Sequence, residues 1–202
     1  MKYSFVFLWL VAGTCAAAQM TGFGAKYYDD ITEVYSDNHE TDKDLVPVIA
    51  IGTTEYKFEV NTLASIAKNA GVKVNKDNLV SWICLKSGGI NYWFISDNEM
   101  GAGDLTAVAI AKDGSPCTPY KGVLQVSVKA PVLTTKEETE KYFNHKPKKD
   151  IVMYYKDVAK SGEYTQSNSI MYYLKDDKVL GLLLARGRPT DRRLSRKVRS
   201  HF

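Results

Sequence analysis

Strand-like segments follow one another along most of this chain without helical segments between them. Of all the features of the sequence, this order places the strongest limit on the fold. Alternating, β-branched or aromatic runs lie at residues 79–85, 90–96, 105–111, 123–128, 151–157, 169–174 and 179–186. Turn sequences such as Ser87-Gly88-Gly89 and Lys175-Asp176-Asp177-Lys178 separate several of them, as expected of hairpins. A doubly wound parallel sheet needs a helix between successive strands, so the order predicts antiparallel sheets.

Two segments with helical periodicity precede the two groups of strands. In residues 53–69 apolar side chains recur every three to four positions, and residues 135–144 begin with threonine and acidic side chains, which favour a helix N-terminus. The sequence therefore predicts an α+β fold of two helix-plus-antiparallel-strand units, with the helices packed on one sheet face. The first unit would span residues 49–130 and the second residues 131–186, after an extended lead-in with an acidic loop at residues 19–48.

The composition fits a globular chain with a substantial core. The 202 residues are 45% hydrophobic and 25% charged, with 14 glycines and 6 prolines. These values exclude collagen-like, intrinsically disordered and disulfide-knot proteins, and the length suits one large domain or two small ones. No apolar run reaches the roughly 18 residues that a bilayer span needs, which excludes a polytopic membrane protein.

Four short runs in residues 134–184 fall where a known repeat has matching ones. They are Thr135-Lys136-Glu137-Glu138, Lys146-Pro147, Tyr154-Tyr155 and Asp176-Asp177-Lys178-Val179. With these runs the segment resembles the small α-plus-β repeat of bacterial envelope proteins, which include β-lactamase inhibitor proteins and outer-membrane-assembly lipoproteins. The leading Gly-Met of that repeat is replaced by Leu133-Thr134, and its Gly before the Pro is absent. Residues 51–95 are a more divergent candidate copy, so the resemblance implies a tandem repeat.

The first 18 residues have the pattern of a secretory signal peptide. Lys2 precedes an apolar run at residues 5–12, and Ala16-Ala17-Ala18 provides the small residues of a cleavage site. A buried N-terminal element is the alternative. Cys15 also raises the possibility of lipidation, but the residues before it do not match a lipobox. We therefore expect export without an anchor, to the periplasm or into a secretory pathway, after removal of residues 1–18.

Removing that segment leaves two cysteines, Cys84 and Cys117. In an oxidising compartment two cysteines of a small domain most simply pair, so we predict a disulfide between them. Two separate buried thiols are the alternative. A zinc site is disfavoured, because the cysteines lie 33 positions apart with no histidine nearby.

No motif in the chain points to a reaction or a cofactor. The acidic run at residues 37–44 has oxygen ligands suited to calcium, but it lacks the glycine and glutamate positions of the twelve-residue calcium loop, so we expect a solvated loop. His145 falls at a predicted helix end, where a cation interacts favourably with the helix dipole. A serine-nucleophile elbow is absent from the sequence. We therefore predict no catalytic residue, no cofactor and no metal site.

Paired aromatic residues on the predicted strands suggest a protein interface. Neighbours on a strand point to opposite sheet faces, so one member of each pair should be exposed unless both faces are covered, and covered faces remain an equal alternative. Tyrosine and tryptophan are common anchors of protein interfaces. The predicted interface residues are Tyr92, Trp93, Tyr154, Tyr155, Tyr172 and Tyr173.

The C-terminal residues 187–202 form a strongly basic tail that we expect to be disordered. Its basic residues are Arg188, Arg192, Arg193, Arg196, Lys197 and Arg199. With Arg186 included and Asp191 subtracted, the tail carries a net charge of +6, while the chain carries +4 and its leader +1. The remaining body is thus at −3. The tail suits a peripheral contact with an anionic membrane surface, or no contact at all, and nucleic acid is not expected as a partner of an exported protein.

Together these features predict an exported protein-binding module, most concretely an inhibitor or immunity-type protein that occludes a partner protein. Members of the resembling family have no shared catalytic residues and act by presenting a surface to another protein, so the resemblance implies the same role. Two alternatives remain. One is a small exported hydrolase or metal-dependent enzyme that uses His39, His145 and nearby carboxylates. The other is an envelope-assembly or structural protein.

Overall fold

The apolar segments form strands close to the predicted positions, but most of them assemble into one large sheet. The computed structural model describes residues 19–28, 36–98, 103–161 and 164–187. The predicted signal peptide, residues 1–18, and the six basic residues of the predicted tail lie outside the described residues.

The described elements, in chain order, comprise three helices and twelve strands. The helices are a 3-10 helix (Gly22–Tyr28), α1 (Leu63–Ala70) and α2 (Lys136–Phe143). The strands are β1 (Ser36–Glu40), β2 (Val48–Ile51), β3 (Thr54–Tyr56), β4 (Asn75–Lys76), β5 (Val80–Ser87), β6 (Ile90–Asp97), β7 (Ala107–Ala111), β8 (Thr118–Pro119), β9 (Leu124–Ser127), β10 (Ile151–Ser161), β11 (Tyr164–Lys175) and β12 (Lys178–Arg186).

Nine strands form one mixed sheet and three form a smaller antiparallel one. The large sheet has the order β1-β10-β11-β12-β7-β6-β5-β4, with β8 paired to β5, and the small sheet has the order β3-β2-β9. The pairs β1–β10 and β5–β8 are parallel, and the other pairs of the large sheet are antiparallel. β12 therefore lies in the interior of the sheet, between β11 and β7.

The predicted α+β fold of two helix-plus-strand units is wrong. The protein is mostly β, with 48% strand and 14% helix. Ala107 of β7 pairs with Ala185 of β12, so strands from both predicted units share one continuous sheet. Local sequence patterns specify where strands lie, but the choice between β7 and another neighbour for β12 depends on tertiary packing.

The first predicted helix is shorter than expected because its N-terminal half is a strand and a turn. Thr54–Tyr56 pairs with β2 as β3, and the helix begins only after Thr62, whose side chain accepts a hydrogen bond from the Ser65 N–H. Gly71 ends the helix at a φ of 68°, in the left-handed conformation that glycine adopts without strain. The second helix lies close to its predicted position, since Thr135 and Glu138 form a capping box at its start.

Both faces of the large sheet are buried. One face packs against the small sheet, α1 and α2, and its core includes Phe94, Ile110 and Leu184. The other face, which carries Trp93 and Met171, packs against the N-terminal segment and its 3-10 helix. Because side chains alternate between the two faces of a strand, adjacent aromatic residues are both buried here.

Two glycines allow the 3-10 helix to lie close to the large sheet. A Cβ on Gly24 would overlap the indole of Trp93, and a Cβ on Gly181 of β12 would overlap the ring of Phe23. The Phe23 ring packs edge-on against Tyr173, with ring centroids 5.0 Å apart. Glycine at these two positions therefore provides the space that the aromatic contacts occupy.

Asp113 joins the 3-10 helix to the loop that follows β7. Its Oδ2 accepts hydrogen bonds from the Phe23 backbone N–H at 3.0 Å and from Ser115 Oγ at 2.8 Å, and its Oδ1 accepts one from Asn91 Nδ2 at 2.6 Å. Burial acts to raise the pKa of the Asp113 carboxyl, but these hydrogen bonds to the ionised form outweigh it and lower the pKa below its ordinary value.

We expect Asp113→Asn to lower the free energy of unfolding at pH 7 by about 2 kcal/mol. The substitution replaces one acceptor oxygen of the carboxylate with an NH₂ group, which would face a hydrogen-bond donor of the protein. A carboxyl whose pKa is lowered by folding stabilises the protein above its unfolded-state pKa of about 3.9. That contribution disappears as the pH falls through the lower folded-state pKa. Urea unfolding of both proteins between pH 7 and pH 2 checks this. A stability difference that stays constant over the whole range would contradict it.

Candidate functional site

The six predicted interface residues lie mainly in the core. Tyr92, Trp93, Tyr154, Tyr172 and Tyr173 are each at most 9% exposed, and Tyr155 is half-buried. This corrects the expectation of an exposed tyrosine face, because both sheet faces are covered. Side chains that are buried in this way cannot anchor a partner protein while the fold is intact.

Two of these tyrosines have specific roles inside the core. The Tyr154 ring stacks on Phe143 of α2, with centroids 3.6 Å apart, and the Tyr172 hydroxyl donates to the Pro131 carbonyl at 2.8 Å. Burial raises the pKa of Tyr154 far above its ordinary value, and the charges of Asp37 and Glu140 add to the shift. Burial likewise raises the pKa of Tyr172. Both hydroxyls therefore stay protonated and serve as hydrogen-bonding groups.

The two candidate histidines lie together at the edge of the large sheet. The His39 ring stacks on His145 with centroids 4.2 Å apart, His145 Nδ1 lies 3.0 Å from the Tyr154 hydroxyl, and His145 Nε2 lies 3.6 Å from Asp37 Oδ2. The two histidines are brought together by the segment predicted to be an acidic loop. Part of it forms β1, which pairs with β10 and places His39 opposite Tyr154.

The members of this histidine cluster contact one another across β1, β10 and the loop that follows α2. Both ring nitrogens of His145 face partners within the cluster, and Tyr154 is fully buried. The described residues contain no group of three or more His, Cys, Asp and Glu side chains that could hold a metal ion. The contacts within the cluster stabilise the packing of β1 against β10 and against the end of α2.

The predicted disulfide is confirmed. Cys84 of β5 is bonded to Cys117, directly before β8, and the two Cα atoms are 4.9 Å apart. The bond therefore holds β8 beside β5, where Leu85 pairs with Thr118. Among the described helices, none has the length and apolar character required to traverse a bilayer.

A groove of about 240 Å³ lies where the small sheet meets the ends of β11 and β12. Its lining is mainly apolar, with Ile49, Tyr56 and Phe58 among its wall residues. Three further lining residues, Val46, Val48 and Val60, are 57%, 51% and 69% exposed, and we call them the valine rim. Large apolar side chains clustered at the mouth of a groove are typical of binding surfaces.

A polar cluster closes one end of this groove. Glu59 Oε2 lies 3.1 Å from Arg186 Nε and accepts a hydrogen bond from Gln166 Nε2 at 2.6 Å, while Arg186 Nη2 donates to Gln166 Oε1 at 3.0 Å. Glu59 has a φ of 60°, a left-handed conformation that costs a non-glycine residue free energy. The surrounding structure holds this carboxylate beside the guanidinium, so the charge of Arg186 is balanced within the protein.

Asn168 lies in the groove wall directly opposite Arg186 in the β11–β12 register. The residue is 6% exposed. Among the described residues, no group forms a hydrogen bond with its side-chain amide. The amide is not among the buried side-chain groups that lack a hydrogen-bond partner, so its polar atoms reach solvent in the groove.

Sequence reasoning did not find this groove. Val46 and Val48 lie at the end of the predicted lead-in, Val60 lies in the segment predicted to be helical, and Asn168 lies just before a predicted strand, so none of them has a distinctive sequence pattern. Pro47, between two of the valines, was the available signal, because proline is rare within central strands.

Comparisons of the chain with protein-family models, with curated proteins and with solved structures found no match. The resemblance of residues 134–184 to the bacterial envelope repeat stays a prediction. The case for function therefore rests on the groove and the residues around it.

Proposed function

We propose that this protein is an exported protein-binding module whose contact surface is the valine rim and its groove. The observation that carries the proposal is the exposure of three valines around an apolar groove. The Cys84–Cys117 disulfide supports export, because such bonds persist in oxidising compartments. An inhibitor or immunity-type role, in which the surface occludes a partner, is the form of binding we propose.

The charges at the groove favour a partner with an apolar contact segment. Glu55 and Lys57 line the groove with opposite charges, and Arg186 is paired with Glu59. Local charge therefore contributes little net attraction. Covering the valine rim removes apolar surface from water, and each half-exposed valine would contribute about 1 kcal/mol to binding.

Replacing Val46, Val48 and Val60 together with serine is expected to weaken partner binding about 100-fold, the combined effect of three lost apolar contacts. Val158→Ser and Leu180→Ser form the matched control, because both residues are exposed apolar strand residues outside the groove lining. The measurement is capture from an extract of the compartment that receives the protein, with the wild type, the triple variant and the control in parallel, followed by titration of any retained protein.

A protein retained by the wild type and the control but lost by the triple variant supports the proposal. Equal retention by all three would place the contact elsewhere. Sedimentation velocity of the same proteins tests a second copy as the occupant. If the wild type self-associates and the triple variant does not, the occupant of the groove is a second copy of this chain and not a different protein.

A further inference from the structure

A second cavity, of about 260 Å³, lies beside the Cys84–Cys117 disulfide, and we call it the polar pocket. Gln19 forms part of its wall, together with amide and hydroxyl groups such as those of Asn75 and Ser115. Among the lining residues that the structure describes, none has a charged side chain. The polar pocket therefore surrounds Gln19 with neutral hydrogen-bonding groups.

Gln19 and the residue after it differ sharply in burial. The Gln19 side chain is exposed, whereas Met20 is 2% exposed and belongs to the same core cluster as Trp93. The buried methionine fixes the position of the chain directly after Gln19. The Gln19 side chain stays accessible to solvent and can change its conformation without disturbing the core.

The predicted leader ends directly before this residue. Removal of residues 1–18 would convert the Gln19 backbone nitrogen into a free α-amino group. In an N-terminal glutamine, three carbon atoms separate that nitrogen from the carbonyl carbon Cδ of the side chain, so a bond between them closes an unstrained five-membered ring. Two groups held this close within one residue react far more readily than the same groups on separate molecules.

We propose that Gln19 is a modification site, at which the exported chain acquires an N-terminal pyroglutamate. The α-amino nitrogen attacks Cδ, the N–Cδ bond forms and the Cδ–Nε2 bond breaks. Nε2 takes one proton from the amine and leaves as ammonia, so no oxidant or other co-reactant is needed. The inference goes beyond the proposed binding function and rests only on the proposed export.

The surroundings of Gln19 favour the product over the free amine. An α-amino group has an ordinary pKa of about 8, so near neutral pH it carries a positive charge, whereas the lactam is neutral. No described residue of the polar pocket offers a carboxylate to that charge, while the lactam N–H and C=O are complementary to its amide and hydroxyl groups. The lactam also removes the amine that an aminopeptidase requires. It would thereby protect the 3-10 helix (Gly22–Tyr28), which covers one face of the large sheet.

The test is mass spectrometry of the full chain, expressed with its own leader in a bacterial host that has a periplasm. The protein is measured after purification and again after incubation at pH 8, where more of the amine is unprotonated. We expect the N-terminal peptide to begin at residue 19 and to have lost the mass of one ammonia molecule. It should resist a general aminopeptidase until a pyroglutamyl peptidase has removed the first residue.

Gln19→Asn is the matched control, because asparagine keeps the carboxamide but is one methylene shorter, and the corresponding four-membered ring does not form. Its N-terminal peptide should keep the full mass and be open to the aminopeptidase. Since Gln19 is exposed, both proteins should have the same thermal unfolding midpoint. A wild-type chain that still begins with an unmodified Gln19 after incubation, that begins at another residue, or that carries a lipid on Cys15 would overturn the inference.

This inference and the proposed function fail in different ways. An unmodified Gln19 on a protein whose valine rim still retains a partner would reject the modification and keep the binding role. A purified chain that retains residues 1–18 would reject both the modification and export, whatever the valine triple variant shows. A pyroglutamate at residue 19 together with equal retention by the triple variant would keep the modification and reject the valine rim as the contact surface.

Discussion

Replacing Cys84 and Cys117 with serine is expected to lower the free energy of unfolding by about 4 kcal/mol. The bond closes a loop with a sequence separation of 33, and the chain-entropy relation gives this magnitude for such a loop. β6 and β7 lie within the loop, so the bond restricts the unfolded chain across the middle of the large sheet. This is a large fraction of the 5–15 kcal/mol, roughly, that stabilises a typical domain.

Urea unfolding of the wild type and the double serine variant, with and without reductant, measures this effect. The reduced wild type should unfold near the midpoint of the variant, and reductant should leave the variant unchanged. Coincident curves for the oxidised wild type and the variant would show that the bond contributes no stability.

Trp93→Ala is expected to destabilise the protein by about 4 kcal/mol, the magnitude typical of truncating a buried tryptophan. Trp93 is 2% exposed and packs against Phe23 and Gly24 of the 3-10 helix. Its loss therefore leaves a cavity and removes the surface on which that helix lies. The result also distinguishes two roles for Trp93, namely the partner-interface residue that the sequence predicts and the core residue that the structure shows.

The measurement is denaturant unfolding together with titration of any partner protein that the wild type retains from the extract. Val158→Ala is the matched control, since its exposed side chain should change stability by no more than about 0.5 kcal/mol. A Trp93→Ala protein of nearly wild-type stability, but with weakened partner binding, would restore the interface assignment.

The strands were predictable where the pattern is local. Alternation and flanking turns predict strands at residues 90–96 and 179–186, and these residues form β6 (Ile90–Asp97) and β12 (Lys178–Arg186). The strand in the acidic segment could not be predicted, because β1 (Ser36–Glu40) contains no apolar residue and is held as a strand by its pairing with β10. Register across distant strands depends on which surfaces meet, and local patterns do not encode that.

The candidate site was even less predictable from local sequence patterns than the order of the strands. Tyr172 and Val46 both fit a binding surface by residue type, and tyrosine is the more usual anchor, yet the fold buries Tyr172 and exposes Val46. Asn168 lines the groove because the β11–β12 register places it opposite Arg186, and no local pattern encodes that register. The disulfide could be predicted because it needs only two cysteines and an oxidising compartment.

The interior position of β12 has a consequence for how the protein is made. Until Arg186 has emerged, the strands on either side, β7 and β11, each have an open edge and the two parts of the sheet cannot join. Pairings between distant segments form slowly, because a long loop must be ordered before they contribute. Under the proposed export, such a delay would favour passage of the unfolded chain through a translocation pore. Until β12 pairs with them, the two open edges are the strand surfaces most prone to pairing with another chain.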